Sequence, residues 1–235
     1  MGQVHFAYGP LTRISKAIAT IALVFVLALP ARAEQISLVA FGDSLTQGYG
    51  LLEHEGFVPQ MRVWLKQQGA DVRLVNAGVS GDTTAGGAAR IAWTLTEDIQ
   101  GIAVALGGND VLRGLEPAQA RENIASILET ARSQNVPVLL IGMSAPGNYG
   151  ADYKASFDAL YPDLAAEYDA ILAPSFFAGL VDGSGSVEPA KVQEFMQDDG
   201  IHPNGIGIAK IVEALGPFYL QLIERVQGAS SLEKS

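Results

Sequence analysis

Five short and nearly continuous apolar runs punctuate the chain, and they restrict its fold more than any other feature. They are ISLVAF (36–41), VRLVNA (72–77), IAVALG (102–107), VPVLLIG (136–142) and the weaker DAILAP (169–174). A strand with one solvent face would alternate apolar and polar residues, whereas these runs are apolar almost throughout. Each run therefore predicts a parallel strand that is covered on both faces of its sheet.

Between these runs, apolar residues recur at the spacing of an amphipathic helix. The stripes are Phe57, Met61, Trp64 and Leu65; Ala88, Ile91, Ala92 and Leu95; Ile124, Ile127, Leu128 and Ala131; Tyr153, Phe157, Leu160, Tyr161 and Leu164; and Ile208, Ile211, Leu215, Phe218 and Leu222. Each stripe predicts a helix whose apolar face joins the core. The alternation of strands and helices predicts an α/β domain with a parallel sheet and right-handed crossovers.

No repeat or linker divides residues 34–227, so we predict one domain over this range. The polar, glycine-rich segment LVDGSGSVEP (180–189) predicts a surface loop. The last residues, 228–235, are predicted to form a frayed tail.

Residues 1–33 have the pattern of a secretory signal peptide. Arg13 and Lys16 precede the apolar run Ala17–Leu29, and the A-x-A ending Ala31-Arg32-Ala33 follows it. The alternative is a transmembrane anchor, which requires a longer apolar run, of about 20 residues. We therefore predict cleavage after Ala33, export to the periplasm or out of the cell, and no stable membrane anchor after cleavage.

Loss of that segment leaves a strongly acidic protein without cysteine. The full chain has a formal net charge of −10, and the segment carries three basic and no acidic residues, so the mature chain has a formal net charge of −13. An acidic protein is a poor partner for nucleic acid or anionic membranes. The absence of cysteine excludes disulfides, thiol nucleophiles and cysteine metal sites.

The loops that follow the predicted strands carry the candidate functional residues, because sites in open parallel sheets lie beyond the carboxyl ends of the strands. In chain order, these loops contain GDSL (42–45), GVSGDTT (78–84), GGNDVLRG (107–114) and SAPGNYG (144–150). Ser44 of the first loop has two interpretations. It is either a nucleophile or a helix cap at a strand-to-helix turn.

A nucleophilic serine needs a base, and the mature chain has only two histidines, His54 and His202. His202 is the better candidate, because Asp199 lies three residues before it and can orient the imidazole through its Nδ1–H. His54 stands between two glutamates and predicts a solvated loop. Asp198 is interpreted as a neighbour of the acid, and Asp43 as a cap or loop tie rather than a second orienting acid.

Acyl transfer also requires hydrogen-bond donors for a developing oxyanion. Candidates are the backbone N–H groups of Ser44 and Gly81 and the side-chain amide of Asn109. Taken one at a time, Gly81 and Asn109 are equally well explained by turn chemistry, since both residue types tolerate positive φ. Their occurrence on loops next to a serine, a histidine and an aspartate favours the catalytic interpretation.

Four blocks in chain order resemble those of the SGNH hydrolases, also called GDSL esterases. They are GDSL with Ser44, SGDT with Gly81, GGND with Asn109 and DxxH with His202. Together they span residues 42–202. Within that family, the phrases NAGVSGDTT, LGGNDVLRG, PGNYG and MQDDGIHPN are most similar to the bacterial periplasmic thioesterase I, lysophospholipase L1 and arylesterase group.

The resemblance implies a role for each of these residues. Ser44 would be the nucleophile, His202 the base and Asp199 the third member of a triad. The oxyanion hole would consist of the Ser44 and Gly81 N–H groups and the Asn109 side chain. The resemblance also implies a flavodoxin-like, three-layer α/β/α fold with a five-stranded parallel sheet in the order 2-1-3-4-5.

The resemblance further implies small acyl or aryl esters or thioesters as substrates. A serine mechanism of this kind needs no metal or organic cofactor, and we expect a monomer. Val111, Leu112 and Leu115 follow Asn109 and would line an acyl pocket, although by themselves they fit a core equally well. A carbohydrate O-acetyl esterase with the same machinery is the alternative enzyme. A non-catalytic binding module on the same scaffold is the alternative from another class.

Overall fold

The computed structural model describes residues 1–3, 35–180 and 192–232. Nearly all of the predicted signal peptide, and all but the first residue of the predicted loop at 180–189, lie outside the described residues.

The apolar runs form a single parallel sheet of five strands. The strands are β1 (Ile36–Gly42), β2 (Val72–Gly78), β3 (Gly101–Ala105), β4 (Val138–Ile141) and β5 (Ile171–Ala173). Their order is β2-β1-β3-β4-β5, and every neighbouring pair is parallel. The predicted order is therefore confirmed. Strand β2 lies on one side of β1, and β3 lies on the other side. The connections that leave the carboxyl ends of β1 and β3 therefore run in opposite directions across the sheet, which leaves a crevice between these ends.

The helices cover the two faces of this sheet. They are α1 (Ser44–Gln47), α2 (Phe57–Gln67), α3 (Thr84–Thr94), α4 (Gly108–Leu112), α5 (Pro117–Ser133), α6 (Ala151–Glu167) and α7 (Gly205–Leu232), with 3₁₀ turns at Glu53–Glu55, Gly147–Tyr149 and Ala178–Leu180. Helix α2 packs against α7, whereas α3 packs against α5 and α5 against α6. The predicted three-layer α/β/α architecture is confirmed.

Both faces of the central strands are buried, which explains why their sequences do not alternate. Every residue of β3 and β4 is buried, and so are the residues of β1 from Ser37 onward. The aromatic residues Phe41, Phe57 and Phe157 are fully buried in the surrounding core. Burial of apolar surface at roughly 25 cal/mol per Å² is the main force that holds these layers together.

Helix α3 differs from its predicted stripe. Its buried residues are Thr84, Gly87 and Ile91, whereas Ala92 is exposed. The reason is close packing at Gly87, where an added Cβ would lie 2.3 Å from Leu106 Cδ1. A residue without a side chain faces the core here, which apolar periodicity cannot detect.

The last helix is longer than the sequence indicated. Helix α7 continues to Leu232, so residues 228–232 extend it, although a frayed tail was predicted from residue 228. Gly228 alone disfavours a helix by only about 1 kcal/mol, and no proline follows it. The segment Gly205–Ala229 is long and apolar enough to cross a membrane, but half of its most apolar stretch is buried in the fold, as in the core helix of a globular domain.

Candidate active site

Ser44 lies at the first turn between a strand and a helix. The cap of α1 is Asp43, whose Oδ1 accepts the N–H of Leu45 at 3.0 Å. The Ser44 hydroxyl is therefore not used for capping. Gly42 allows this tight turn, because a Cβ there would lie 2.7 Å from the carbonyl oxygen of Ala105. The structure thus answers the capping question in favour of Asp43.

His202 is held in a short turn by its own neighbours. The Gln197 N–H donates to the His202 carbonyl at 2.8 Å, and Gly200 takes a left-handed φ of 66°. Asp199 Oδ1 accepts the backbone N–H groups of Ile201 and His202 at 2.9 and 3.0 Å. This arrangement leaves the other oxygen of Asp199 free to meet the imidazole.

Ser44, His202 and Asp199 form one hydrogen-bonded chain. The Ser44 Oγ lies 2.8 Å from His202 Nε2, and His202 Nδ1 lies 2.7 Å from Asp199 Oδ2. Asp198 is exposed and makes no hydrogen bond to this imidazole. With Asp199 on Nδ1, Nε2 is left to accept a proton from the serine hydroxyl, which is the arrangement of a catalytic triad.

The pKa of Asp199 fits that arrangement. Hydrogen bonds from the His202 backbone, the His202 side chain and the Ile201 backbone lower the pKa of Asp199 to about 2. The carboxyl group is therefore ionised at neutral pH and can stabilise an imidazolium.

The environment of Asp43 has the opposite effect on its carboxyl group. Burial raises the pKa of Asp43 to about 6, and the hydrogen bonds from the Leu45 N–H and the Asn109 side chain only partly oppose this rise. The residue is 1% exposed. Asp43 thus acts as a buried structural acceptor in the turn that holds Ser44, and it does not contact the imidazole by a hydrogen bond.

Gly81 and Asn109 lie beside Ser44 in the same cleft. Gly81 has a left-handed φ of 80°, and among the described residues its N–H has no acceptor, nor does that of Ser44. The Asn109 side-chain amide donates one hydrogen to Asp43 Oδ2 at 3.2 Å, which leaves the second hydrogen available. The structure therefore brings all three candidate oxyanion donors to one place.

The cleft that contains these residues has a volume of about 680 Å³. Its apolar wall consists of Leu45, Val111, Leu112, Met143, Pro146, Phe177, Met196 and Ile201. This size and this mixture of apolar walls and few polar groups are typical of small-molecule sites.

Leu115 does not line this cleft, so its predicted place in the acyl pocket is wrong. Gly114, with a φ of 61°, turns the chain away after α4. The carbonyl of Leu115 instead accepts the hydroxyl of Tyr153 at 2.8 Å, which ties this segment to α6. Val111 and Leu112 remain in the wall because they belong to α4 itself.

Two neighbours of the site were not predicted from the sequence. The Tyr49 ring packs against the His202 ring with centroids 4.8 Å apart. Arg113 Nη2 donates to the Gly81 carbonyl at 2.8 Å. Both are exposed residues of loops, and only their position next to a motif could have singled them out.

A second groove, of about 780 Å³, contains none of the candidate triad or oxyanion residues. His54 lines it and is exposed, so the two histidines lie in different places. Among residues 35–180 and 192–232, no group of three or more His, Asp or Glu side chains is arranged to hold a metal ion.

Comparison with known proteins places the chain in a family. A family model described as the GDSL-like Lipase/Acylhydrolase family matches residues 40–210. Over 182 residues the chain is 39% identical to "Esterase TesA" of Pseudomonas aeruginosa, which covers 77% of this chain and 86% of that protein. Over 170 residues it is 36% identical to "Thioesterase 1/protease 1/lysophospholipase L1" of Escherichia coli K12, which covers 72% and 76%.

Solved structures agree with this assignment. The crystal structure of AlinE4, described as an SGNH-hydrolase family esterase, superposes with a TM-score of 0.65 at 40% identity and covers 80% of this chain and 96% of that one. The chain therefore belongs to the GDSL-like lipase/acylhydrolase family, the SGNH hydrolases, and is an enzyme that hydrolyses ester bonds.

Proposed function

We propose that this enzyme is an exported serine hydrolase that cleaves small acyl or aryl esters and thioesters through an acyl-enzyme on Ser44. The observation that carries the proposal is the continuous hydrogen-bonded chain from the Ser44 hydroxyl through His202 to Asp199, with distances of 2.8 and 2.7 Å.

In the first half of the reaction, His202 Nε2 accepts the hydroxyl proton while Ser44 Oγ attacks the carbonyl carbon. The oxygen of that carbonyl becomes an oxyanion, and the N–H groups of Ser44 and Gly81 and the Asn109 amide stabilise it. Collapse of the tetrahedral intermediate breaks the bond to the alcohol or thiol. His202 donates its proton to this leaving group, and the acyl group remains on Ser44.

In the second half, water replaces the alcohol or thiol. His202 accepts a proton from the water as it attacks the acyl-enzyme, and the same donors stabilise the second oxyanion. Return of the proton to Ser44 Oγ releases the carboxylic acid. Asp199 stays ionised throughout, as its pKa of about 2 favours, and stabilises the positively charged imidazolium in each half.

The lining of the cleft supports an apolar acyl or aryl group as the part of the substrate that is recognised. The cleft that contains Ser44 is lined by the apolar side chains of Val111, Leu112, Met143, Phe177 and Met196. Methionine side chains adapt to ligands of different shape. The names of the relatives, an esterase and a thioesterase/lysophospholipase, are consistent with this substrate class.

Export is the second component of the proposal and rests on the sequence of residues 1–33. Expression of the full chain, followed by cell fractionation and N-terminal sequencing of the product, tests it. We expect the protein outside the cytoplasm with Glu34 as its first residue. An uncleaved product in the cytoplasm would refute this component alone.

The test of the catalytic component compares residues 34–235 with the Ser44→Ala variant. Hydrolysis of p-nitrophenyl esters from acetate to palmitate and of acyl-CoA thioesters would be measured with both proteins. Loss of a triad nucleophile lowers kcat by about 10⁶-fold. A Ser44→Ala variant with wild-type activity would refute the mechanism, and a wild type that is inert on every one of these substrates would refute the proposed substrate class.

A further inference from the structure

A buried carboxylate connects the two loops that carry Gly81 and Asn109. Asp110, the residue after Asn109, is 1% exposed, and Thr84, three residues after Gly81, is 0% exposed. Asp110 Oδ2 accepts the Thr84 N–H at 2.9 Å, and Asp110 Oδ1 accepts the Thr84 hydroxyl at 2.6 Å. Both carboxylate oxygens therefore bind the same residue of the neighbouring loop.

A residue of a third segment also holds Asp110 and Thr84 in place. The Asn123 side chain of α5 donates to the Thr84 hydroxyl oxygen at 3.0 Å, so this hydroxyl both donates and accepts. Among the described residues, no buried side-chain nitrogen or oxygen lacks a hydrogen-bond partner. A fully satisfied, buried polar network fixes the positions of its members more strictly than apolar packing does.

The network joins the two segments that carry two of the proposed oxyanion donors. Thr84 begins α3 directly after the turn that holds Gly81, and Asp110 lies in the five-residue helix α4 beside Asn109. No longer segment separates Thr84 from Gly81 or Asp110 from Asn109, so a displacement of Thr84 or Asp110 would also move the neighbouring donor. Stabilisation of an oxyanion depends on donors that are preorganised within a few tenths of an ångström.

We propose that Asp110 is a positioning residue for ester hydrolysis, which holds the Gly81 N–H and the Asn109 amide at a fixed separation through Thr84. The inference rests on the proposed acyl-enzyme mechanism, because the two donors matter only if an oxyanion forms beside Ser44. Asp110 does not line the cleft, so it acts on the reaction only through its neighbours.

A second contact between the same loops provides a matched control. Arg113 also connects α4 to the Gly81 turn, through a single hydrogen bond of 2.8 Å to the Gly81 carbonyl, but it is exposed. Water can replace an exposed hydrogen bond at little cost, whereas a buried donor that loses its acceptor remains unpaired. Arg113→Ala is therefore expected to lower kcat less than a change at Asp110 does.

The experiment measures kcat, KM and thermal stability for Asp110→Asn, Thr84→Val and Thr84→Ser in the chain of residues 34–235. Asparagine offers one acceptor to the two Thr84 donors, and valine lacks the hydroxyl, whereas serine keeps both donors. We expect Asp110→Asn to lower kcat about 10- to 100-fold with KM within threefold, since loss of a whole oxyanion donor costs about 10²–10³-fold. Thr84→Val should lower kcat less, and Thr84→Ser should stay within threefold of wild type.

A double-mutant cycle separates positioning from general destabilisation. If Asp110 acts through Asn109, then Asp110→Asn must lower kcat much less in an Asn109→Ala background than in the wild type. Active-site titration with a phosphonate ester counts folded enzyme, so that kcat is expressed per active site. Should Asp110→Asn fail to fold, the same cycle with Thr84→Val takes its place.

Three results would overturn the inference. These are a kcat of Asp110→Asn within threefold of wild type, effects at the two positions that multiply in full, or a loss that disappears when rates are expressed per active site. Ser44→Ala is measured in parallel. If that variant is inactive while Asp110→Asn is fully active, only this inference fails, whereas an active Ser44→Ala removes the proposed mechanism and this inference together.

Discussion

Replacement of Asp43 by asparagine should change the pH dependence of stability by an amount that the structure supplies. Asp43 is 1% exposed, and burial raises the pKa of its carboxyl group from 3.8 to about 6. The folded protein therefore holds the Asp43 proton at pH values where the unfolded chain has lost it. Stability from this group is fully present below pH 3.8 and is lost as the pH rises through about 6.

The magnitude follows from the two pKa values. At about 1.4 kcal/mol for each pH unit, a rise from 3.8 to about 6 corresponds to roughly 3 kcal/mol, of which about half is lost by pH 5. Asparagine has no such titration. It also offers one acceptor oxygen instead of two to Leu45 and Asn109, which costs about 1 kcal/mol at every pH. From pH 4 to pH 7, the free energy of unfolding of Asp43→Asn should thus rise by roughly 2–3 kcal/mol relative to that of the wild type.

Urea denaturation of both proteins at half-unit intervals from pH 4 to pH 7.5 measures this difference. All other titrating groups are common to the two proteins, so their contributions cancel. Asp98→Asn is the control, because the Asp98 pKa is lowered by the hydroxyl of Thr96 and by Arg73. The Asp98 contribution to stability is lost only as the pH falls below 3.8. The difference in free energy of unfolding between Asp98→Asn and the wild type should therefore not change with pH above pH 4. If the difference between Asp43→Asn and the wild type were also independent of pH, the argument from burial would be refuted.

Three further changes have outcomes that the structure specifies. Gly81→Ala places a Cβ at a φ of 80°, which costs about 1–2 kcal/mol and moves a proposed oxyanion donor, so steady-state kinetics should show a lower kcat with little change in KM. Gly87→Ala should lower the free energy of unfolding in urea by about 1–3 kcal/mol, although alanine favours helices, because its Cβ would lie 2.3 Å from Leu106 Cδ1; an unchanged or higher value would contradict the close packing. Arg90 donates to Asp82 at 2.7 Å and to two carbonyl oxygens at the ends of β1 and β2, so Arg90→Lys, which cannot span all three acceptors, should lower the melting temperature; a change of less than about 1 °C would show that these contacts stabilise little.

The sequence by itself determined the elements and the candidate residues on them. Runs such as ISLVAF and VPVLLIG indicated strands buried on both faces, because such strands are apolar at nearly every position and do not alternate. The relation of Asp199 to His202 was also predictable, because three residues of a tight turn bring the carboxylate to the imidazole without help from the rest of the fold. Local geometry of this kind depends on backbone constraints that neighbouring residues impose.

Only the tertiary structure decided what lies beside what across the sheet. Ser44 and His202 are 158 positions apart, and the 2.8 Å contact between them depends on the packing of two loops at one edge of the sheet. The same packing buries Asp43, pairs Asp110 with Thr84, and directs Leu115 away from the cleft. Sequence spacing carries no record of these contacts, since each one depends on how layers meet in space rather than on the period of a single helix or strand.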